Sequence, residues 1–228
     1  MHKYSLSFIR SSAILFFTYI MASIIFPYTT FRWDVDFLLT KQHLLHVDYY
    51  RLAFYAHIFS SLFVLCSGAF LFSGYILKKH PALHRRLGKI YVGLLLLVSA
   101  PSGLVMGFHA NGGWMAQLSF FILTPLWWWF TYQGYVTARN KKFKAHKKWM
   151  MRSYALTLSA ISLRVYQMLL GSFFMIDPMV QYVLVSWVSW LGNLAFIELY
   201  MWKKGTAAAR SANGHLRVGG TSAMQLRL

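Results

Sequence analysis

Six side chains join a reactive chemical type to an unusual place in the chain. His57 and His109 stand near one end of long apolar runs, and His84 and His146 stand at the other end, inside dense basic clusters. A neutral imidazole nitrogen suits iron and other transition metals. Arg164 falls about eleven residues into an apolar run, and Arg152 marks the point where a basic segment turns apolar. A guanidinium at such depth must face an acceptor: an acid, kinked backbone carbonyls or an anionic ligand. Metal or anion binding is therefore the chemistry to expect. Hydrolysis is a poor fit, because the chain has only five acidic residues and shows no paired carboxylates. It also has no Ser–His–Asp order and no phosphate-cradling glycine loop.

These residues must be positioned by apolar helices. Of the 228 residues, 57% are hydrophobic and only 12% charged, against about 25% charged in soluble domains. Mean hydropathy is +0.46. Six runs approach the roughly 20 apolar residues that cross a bilayer core as helix: about 11–28, 52–77, 88–109, 117–138, 153–175 and 181–202. Lys3 and Arg10 precede the first like the n-region of a signal. No small-residue cleavage site follows, so it reads as an uncleaved span.

The net charge of +18 does not point to nucleic acid, because of where it sits. Nineteen of the 23 Lys and Arg residues fall in four short zones around 3–10, 78–89, 139–152 and 203–227, each against an apolar run. Basic connections stay cytoplasmic. Six spans put all four zones on one side, with both termini cytoplasmic. Trp33 and Trp114 then fall at the outer interface, and Trp149 and Trp202 at the inner one. The small, polar segment 205–228 reads as a disordered cytoplasmic tail, with His215 idle in it. Cys66, the single cysteine, excludes an intrachain disulfide and reads as a small buried hydrophobe. The expected fold is all-α: an integral membrane protein of six transmembrane helices around a four-helix bundle of spans 2–5, spans 1 and 6 being peripheral.

An internal near-repeat supports the bundle. "LHRRLGKIYVGL" (83–94) and "AHKKWMMRSYAL" (145–156) each place His before two bases and an apolar residue. A further base follows, Lys89 or Arg152, and then Tyr91 or Tyr154. Each joins two spans into a hairpin of the same orientation. Such repeats are related by an axis along the membrane normal. That axis puts His84 and His146 at one depth, facing each other at the cytoplasmic mouth.

"AHIFSSLFVLCSGAF", "HPALHRRLGKIYVG", "SAPSGLVMG" and "KAHKKWMMRSYALTLSAISLR", in this order, resemble the predicted membrane proteins called domain of unknown function 2306. The likeness spans about residues 52–170 and implies a multi-pass membrane fold without implying an activity. The recurring positions map onto His57, His84, Gly88, His146, Trp149, Met150, Arg152 and Arg164. His109 lies outside that pattern.

Two histidines per face also resemble the arrangement of transmembrane b-type cytochromes such as the cytochrome b561 class. The resemblance implies haem b, with His84 and His146 as axial ligands to iron and His57 with His109 as an outer pair. Arg152 or Arg164 would neutralise propionates or a quinone oxygen, and Trp127, Trp128 and Trp129 would flank the macrocycle. Electron transfer between quinone and a redox partner is the leading expectation. Three alternatives stand beside it. The His–basic cluster would bind anionic lipid headgroups or quinone. Arg164 would be the binding charge of a small-anion carrier or channel, with spans 3 and 4, broken by Pro101 and Pro125, as its moving parts. Or the chain would be a non-catalytic membrane scaffold. An Arg164–Glu198 tie is the structural alternative for Arg164. In the outer connection, His43 and His46 have metal-ligand spacing, although such short spacings are common by chance and an interfacial amphipathic helix is the better reading.

Overall fold

The computed structural model describes Phe16 and residues 19–224, with side chains described as far as Thr206. Most of the first expected span, 11–28, therefore lies outside the described residues. Every regular element among the described residues is helical. Three stretches are long and apolar enough to cross a membrane: Asp48–Leu71, Pro81–Phe108 and Pro178–Thr206.

Helix α1 is a single turn, Asp36–Leu39, in the 29–47 connection, the outer connection of the expected topology. Helix α2, Asp48–Leu71, opens with an acid in its first turn, which suits the helix dipole. Its 24 residues reach about 36 Å at 1.5 Å per residue. It stops at Leu71, short of the expected 77, because Ser73 turns extended (ψ 122°) and Gly74 begins a separate short helix, α3 (Gly74–Lys79).

The next span is three pieces end to end. Helix α4, Pro81–Leu94, starts on a proline, where the missing N–H costs nothing. A π-helical turn, Leu95–Ser99, follows, and then α5, Ala100–Phe108. The bulge has an identifiable cause. Ala100 N–H bonds back to Leu95 O, and Pro101 has no N–H to offer, so the Leu96 carbonyl lacks a helical partner. Trp128 fills the gap, donating from Nε1 to Leu96 O at 3.2 Å.

Helix α6, Gly113–Arg139, has the length of a span, but its Trp, Tyr, Gln and Pro residues lower its hydropathy. The run expected over 153–175 belongs to two helices of 15 residues each, α7 (Phe143–Thr157) and α8 (Ser159–Phe173), which meet at Leu158. The basic segment before it is therefore helical and not a loop. Helix α9 begins at Pro178, and its backbone continues through the tail region to Met224.

Helices α2, α4–α5, α6 and α7 surround one core built on Val64, Tyr91, Leu95, Trp127, Met150 and Leu156. Trp190 of α9 lies in the same cluster, so the last span is a core element and not a peripheral one. The interior is rich in hydroxyls: Ser60, Ser99, Ser119, Thr131, Ser153, Ser186 and others are buried, while large apolar side chains point outward. That inversion is expected where lipid is as apolar as leucine and helices associate through small residues and hydrogen bonds. The two repeat tyrosines meet in this interior. A Cβ on Gly68 would lie 2.4 Å from the Tyr154 ring and 3.2 Å from that of Tyr91, so only glycine admits both. Tyr154 Oη donates to Leu65 O at 3.1 Å, and Tyr91 Oη lies 3.4 Å from both Ser153 and Thr157 hydroxyls.

Candidate functional site

A cavity of about 270 Å³ lies between α2, α5, α6, α8 and α9, and Tyr28 and Phe37 of the outer connection also line it. Its walls are mostly apolar and aromatic. The polar residues in its lining are His57 and Ser61 on α2, Thr124 on α6, Thr157 at the end of α7, Ser159 and Arg164 on α8, Tyr182 and Ser189 on α9, and Tyr28.

His57 is fixed by geometry. Its Nδ1 lies 2.8 Å from Ser99 O, a carbonyl that can only accept, so Nδ1 carries the proton and Nε2 keeps its lone pair. Ser99 stands at the end of the π turn, and its own hydroxyl donates to Ser60 Oγ at 2.8 Å. The Cε1–Nδ1 edge of the ring packs against Gly103, where a Cβ would come within 2.8 Å of His57 Cε1. Ser61 Oγ is 3.5 Å from Nε2, a long contact that leaves the lone pair available to the cavity.

Arg164 donates one hydrogen bond, from Nη1 to Gln167 Oε1 at 3.2 Å. Glu198, its expected structural partner, belongs instead to Arg152. Two parallel bonds join them, Nε to Oε1 and Nη2 to Oε2, the second at 2.9 Å. Arg152 also lies 4.9 Å over the Trp149 ring. The remaining acids are largely committed. Asp34 pairs with Arg32, Asp48 with Arg51, and Asp177 accepts from the Met179 and Val180 amides at the start of α9. Arg164 thus has no carboxylate within ion-pair distance among the described residues.

The inner histidines occupy matching places. The amides of His84 and His146 each close the first turn of their helix, on His80 O and Lys142 O. The rings lie within electrostatic range of one another. His146 Nδ1 donates to Gly134 O at 2.7 Å, which leaves Nε2 bare, and His84 Nδ1 is buried without a hydrogen-bond partner. Neither residue lines the cavity.

The outer histidines are not brought together on one ligand. His57 faces the cavity, while His109 lies 3.3 Å from the Tyr49 hydroxyl through Nε2 and stands edge-on to Tyr50. The tryptophan triplet divides as well. Trp127 is buried and donates to Thr157 Oγ1 at 3.0 Å, Trp128 caps Leu96, and Trp129 is exposed. The first two are thus structural hydrogen-bond donors. His43 and His46 are exposed, and no group of three or more His, Cys, Asp or Glu side chains among the described residues is placed to hold a metal.

Sequence reasoning missed several participants. Ser99, Gly103, Tyr28 and Tyr182 left no distinctive pattern. "APSG" over 100–103 was the available signal, since a proline inside an apolar run announces a disturbed ladder. Lys41, in the connection before α2, belongs to no motif either. It is 3% exposed, and its ammonium donates to His109 O and to Asn111 Oδ1, the latter at 2.5 Å, pinning the outer connection onto the turn after α5.

The model of a family described as predicted membrane protein (DUF2306) matches residues 54–201, which include His57, His84, His146, Arg152, Arg164 and Glu198. No curated protein and no solved structure matches the chain.

Proposed function

The chain belongs to the DUF2306 family of predicted membrane proteins, and from that premise we propose that it binds a small organic anion within the bilayer and passes it across. One observation carries the reading: the Arg164 guanidinium lines an apolar cavity with no acid beside it, while four of the five acidic residues are engaged elsewhere. A cation held in mostly apolar surroundings without a counter-ion is costly. An anionic ligand supplies the missing charge. The break at Leu158 lies between Thr157 and Ser159, both of which line the cavity, so bending there alters access to it. The proposal includes six spans with both termini cytoplasmic, and basic inner connections against anionic lipid headgroups.

The test is uptake of radiolabelled benzenesulfonate, which stays charged at every working pH, into proteoliposomes. Uptake above protein-free vesicles that Arg164→Leu abolishes and Arg164→Lys reduces is the expected result. Uptake equal to that of empty vesicles overturns the proposal.

A second reading has its own observation. The unpartnered His84 Nδ1 and the bare His146 Nε2 are two imidazole nitrogens free to ligate, a donor set that a bis-histidine haem b in a quinone-linked electron-transfer protein would use. Oxidised and dithionite-reduced absorption spectra of purified protein decide it. A sharpened α-band lost in His84→Ala or His146→Ala supports it, and no Soret band after haem supplementation ends it.

A further inference from the structure

We infer that the ligand of the cavity is a single-ring aromatic anion that also carries a hydroxyl group. Its anionic end sits on Arg164 and its hydroxyl hydrogen on His57 Nε2. This rests on the anion-binding reading and narrows it to a chemical class.

Size comes first. An engineered apolar cavity of about 150 Å³ admits benzene. At about 270 Å³ this one has room for one substituted ring, and it falls short of the range typical of drug-sized ligands, about 300–1,000 Å³.

The walls come second. Tyr28, Phe37, Phe54, Phe120, Trp127 and Tyr182 line the space, and aromatic faces and edges favour another ring at offset or edge-on contact.

Polarity comes third. Arg164 offers donors and positive charge, which selects an anionic acceptor. His57 offers the opposite. Its Nδ1 proton is committed to Ser99 O, so the nitrogen left is an acceptor; the Ser61 hydroxyl meets it only at 3.5 Å, and a donor on the ligand would give it a shorter bond. A carboxylate alone cannot supply one; a phenolic hydroxyl can. Gly103 locks the ring in that orientation by leaving no room behind it. A site built to meet a ligand hydroxyl discriminates against the analogue that lacks it, because its buried acceptor is then left with only the long Ser61 contact.

The experiment is equilibrium binding of benzoate, 3-hydroxybenzoate, 4-hydroxybenzoate and butyrate to the purified full chain, with wild type, His57→Phe, His109→Phe and Arg164→Leu. The expected result is that one of the hydroxybenzoates binds at least tenfold more tightly than benzoate and benzoate more tightly than butyrate. His57→Phe should erase the hydroxyl preference while His109→Phe, at a histidine outside the cavity lining, keeps it. The wild-type ligand series stands even if His57→Phe does not fold. Equal binding of hydroxybenzoates and benzoate, both lost in Arg164→Leu, overturns this inference and leaves the anion-binding proposal intact. No binding of any of the four overturns both.

Discussion

The His57 imidazole donates its Nδ1 proton to the Ser99 carbonyl across 2.8 Å, and Ser99 ends the π-helical turn that precedes Pro101. A defect in one helix thereby sets the tautomer of a histidine on another. The ring lines the cavity, and Nε2 is its remaining acceptor.

That coupling is exposed at Gly103. Gly103→Ala places a methyl 2.8 Å from His57 Cε1, so the ring must move off Ser99 O. Overpacking of this kind costs about 1–3 kcal/mol. The expected outcome is a lower melting temperature with helical circular dichroism retained, and at least a tenfold loss of hydroxybenzoate affinity. Unchanged affinity would show that ring orientation is irrelevant to binding.

Arg152 and Glu198 form the inner counterpart, a bidentate pair between α7 and α9. Glu198→Gln leaves Arg152 with one charge-assisted bond fewer and no neutralising partner. The carboxylate is 44% exposed, which screens the loss. A destabilisation of about 1–2 kcal/mol is expected, read as the apparent melting temperature in detergent. The double variant Arg152→Met/Glu198→Met should recover most of it, because no charge is then stranded. If the double variant is worse than the sum of the single ones, the pair is not the contact that matters.

Charge placement and hydropathy made the helical membrane character legible, because long apolar runs and clustered bases are local properties of sequence. The matching stations of His84 and His146 were legible for the same reason: the near-repeat fixes the same helical turn twice. What was not legible depends on which helices touch. Arg164 was marked as needing a partner, but Glu198, the one acid deep in the apolar runs, is claimed by Arg152, and sequence spacing does not say which of two arginines it meets. The π turn escaped notice because it arises from a lost hydrogen bond at Pro101 together with an indole on another helix. Lys41 escaped because burial of a loop lysine is decided by the fold of residues about seventy positions away.

Lys41 makes a pH-dependent prediction. Burial pushes its ammonium below the ordinary lysine value of about 10.4. The folded state therefore releases this proton at lower pH than the unfolded state does. Below the folded value both states hold the proton and the penalty is complete. Between the folded value and about 10.4 the unfolded state binds more protons, so stability rises with pH and then levels off. Wild type should resist proteolysis in the 29–47 connection progressively better as pH climbs through that window. Lys41→Met should remove the slope. An identical slope in the variant would assign it to other groups.

Thr157 is the point where core and cavity share a residue. Its hydroxyl accepts from Trp127 Nε1 at 3.0 Å, lies 3.4 Å from Tyr91 Oη, and lines the cavity. Thr157→Val keeps the shape and removes the acceptor, stranding a buried indole N–H and weakening the position of a buried phenol. Each group left unsatisfied costs about 1–3 kcal/mol, whereas Thr157→Ser keeps the oxygen and loses only a methyl. Thr157→Val should therefore be the less stable of the two and should shift tryptophan emission, since the Trp127 ring loses its anchor. If Thr157→Ser is the less stable, then packing of the methyl, and not the hydroxyl, holds α6 against α7 at this level.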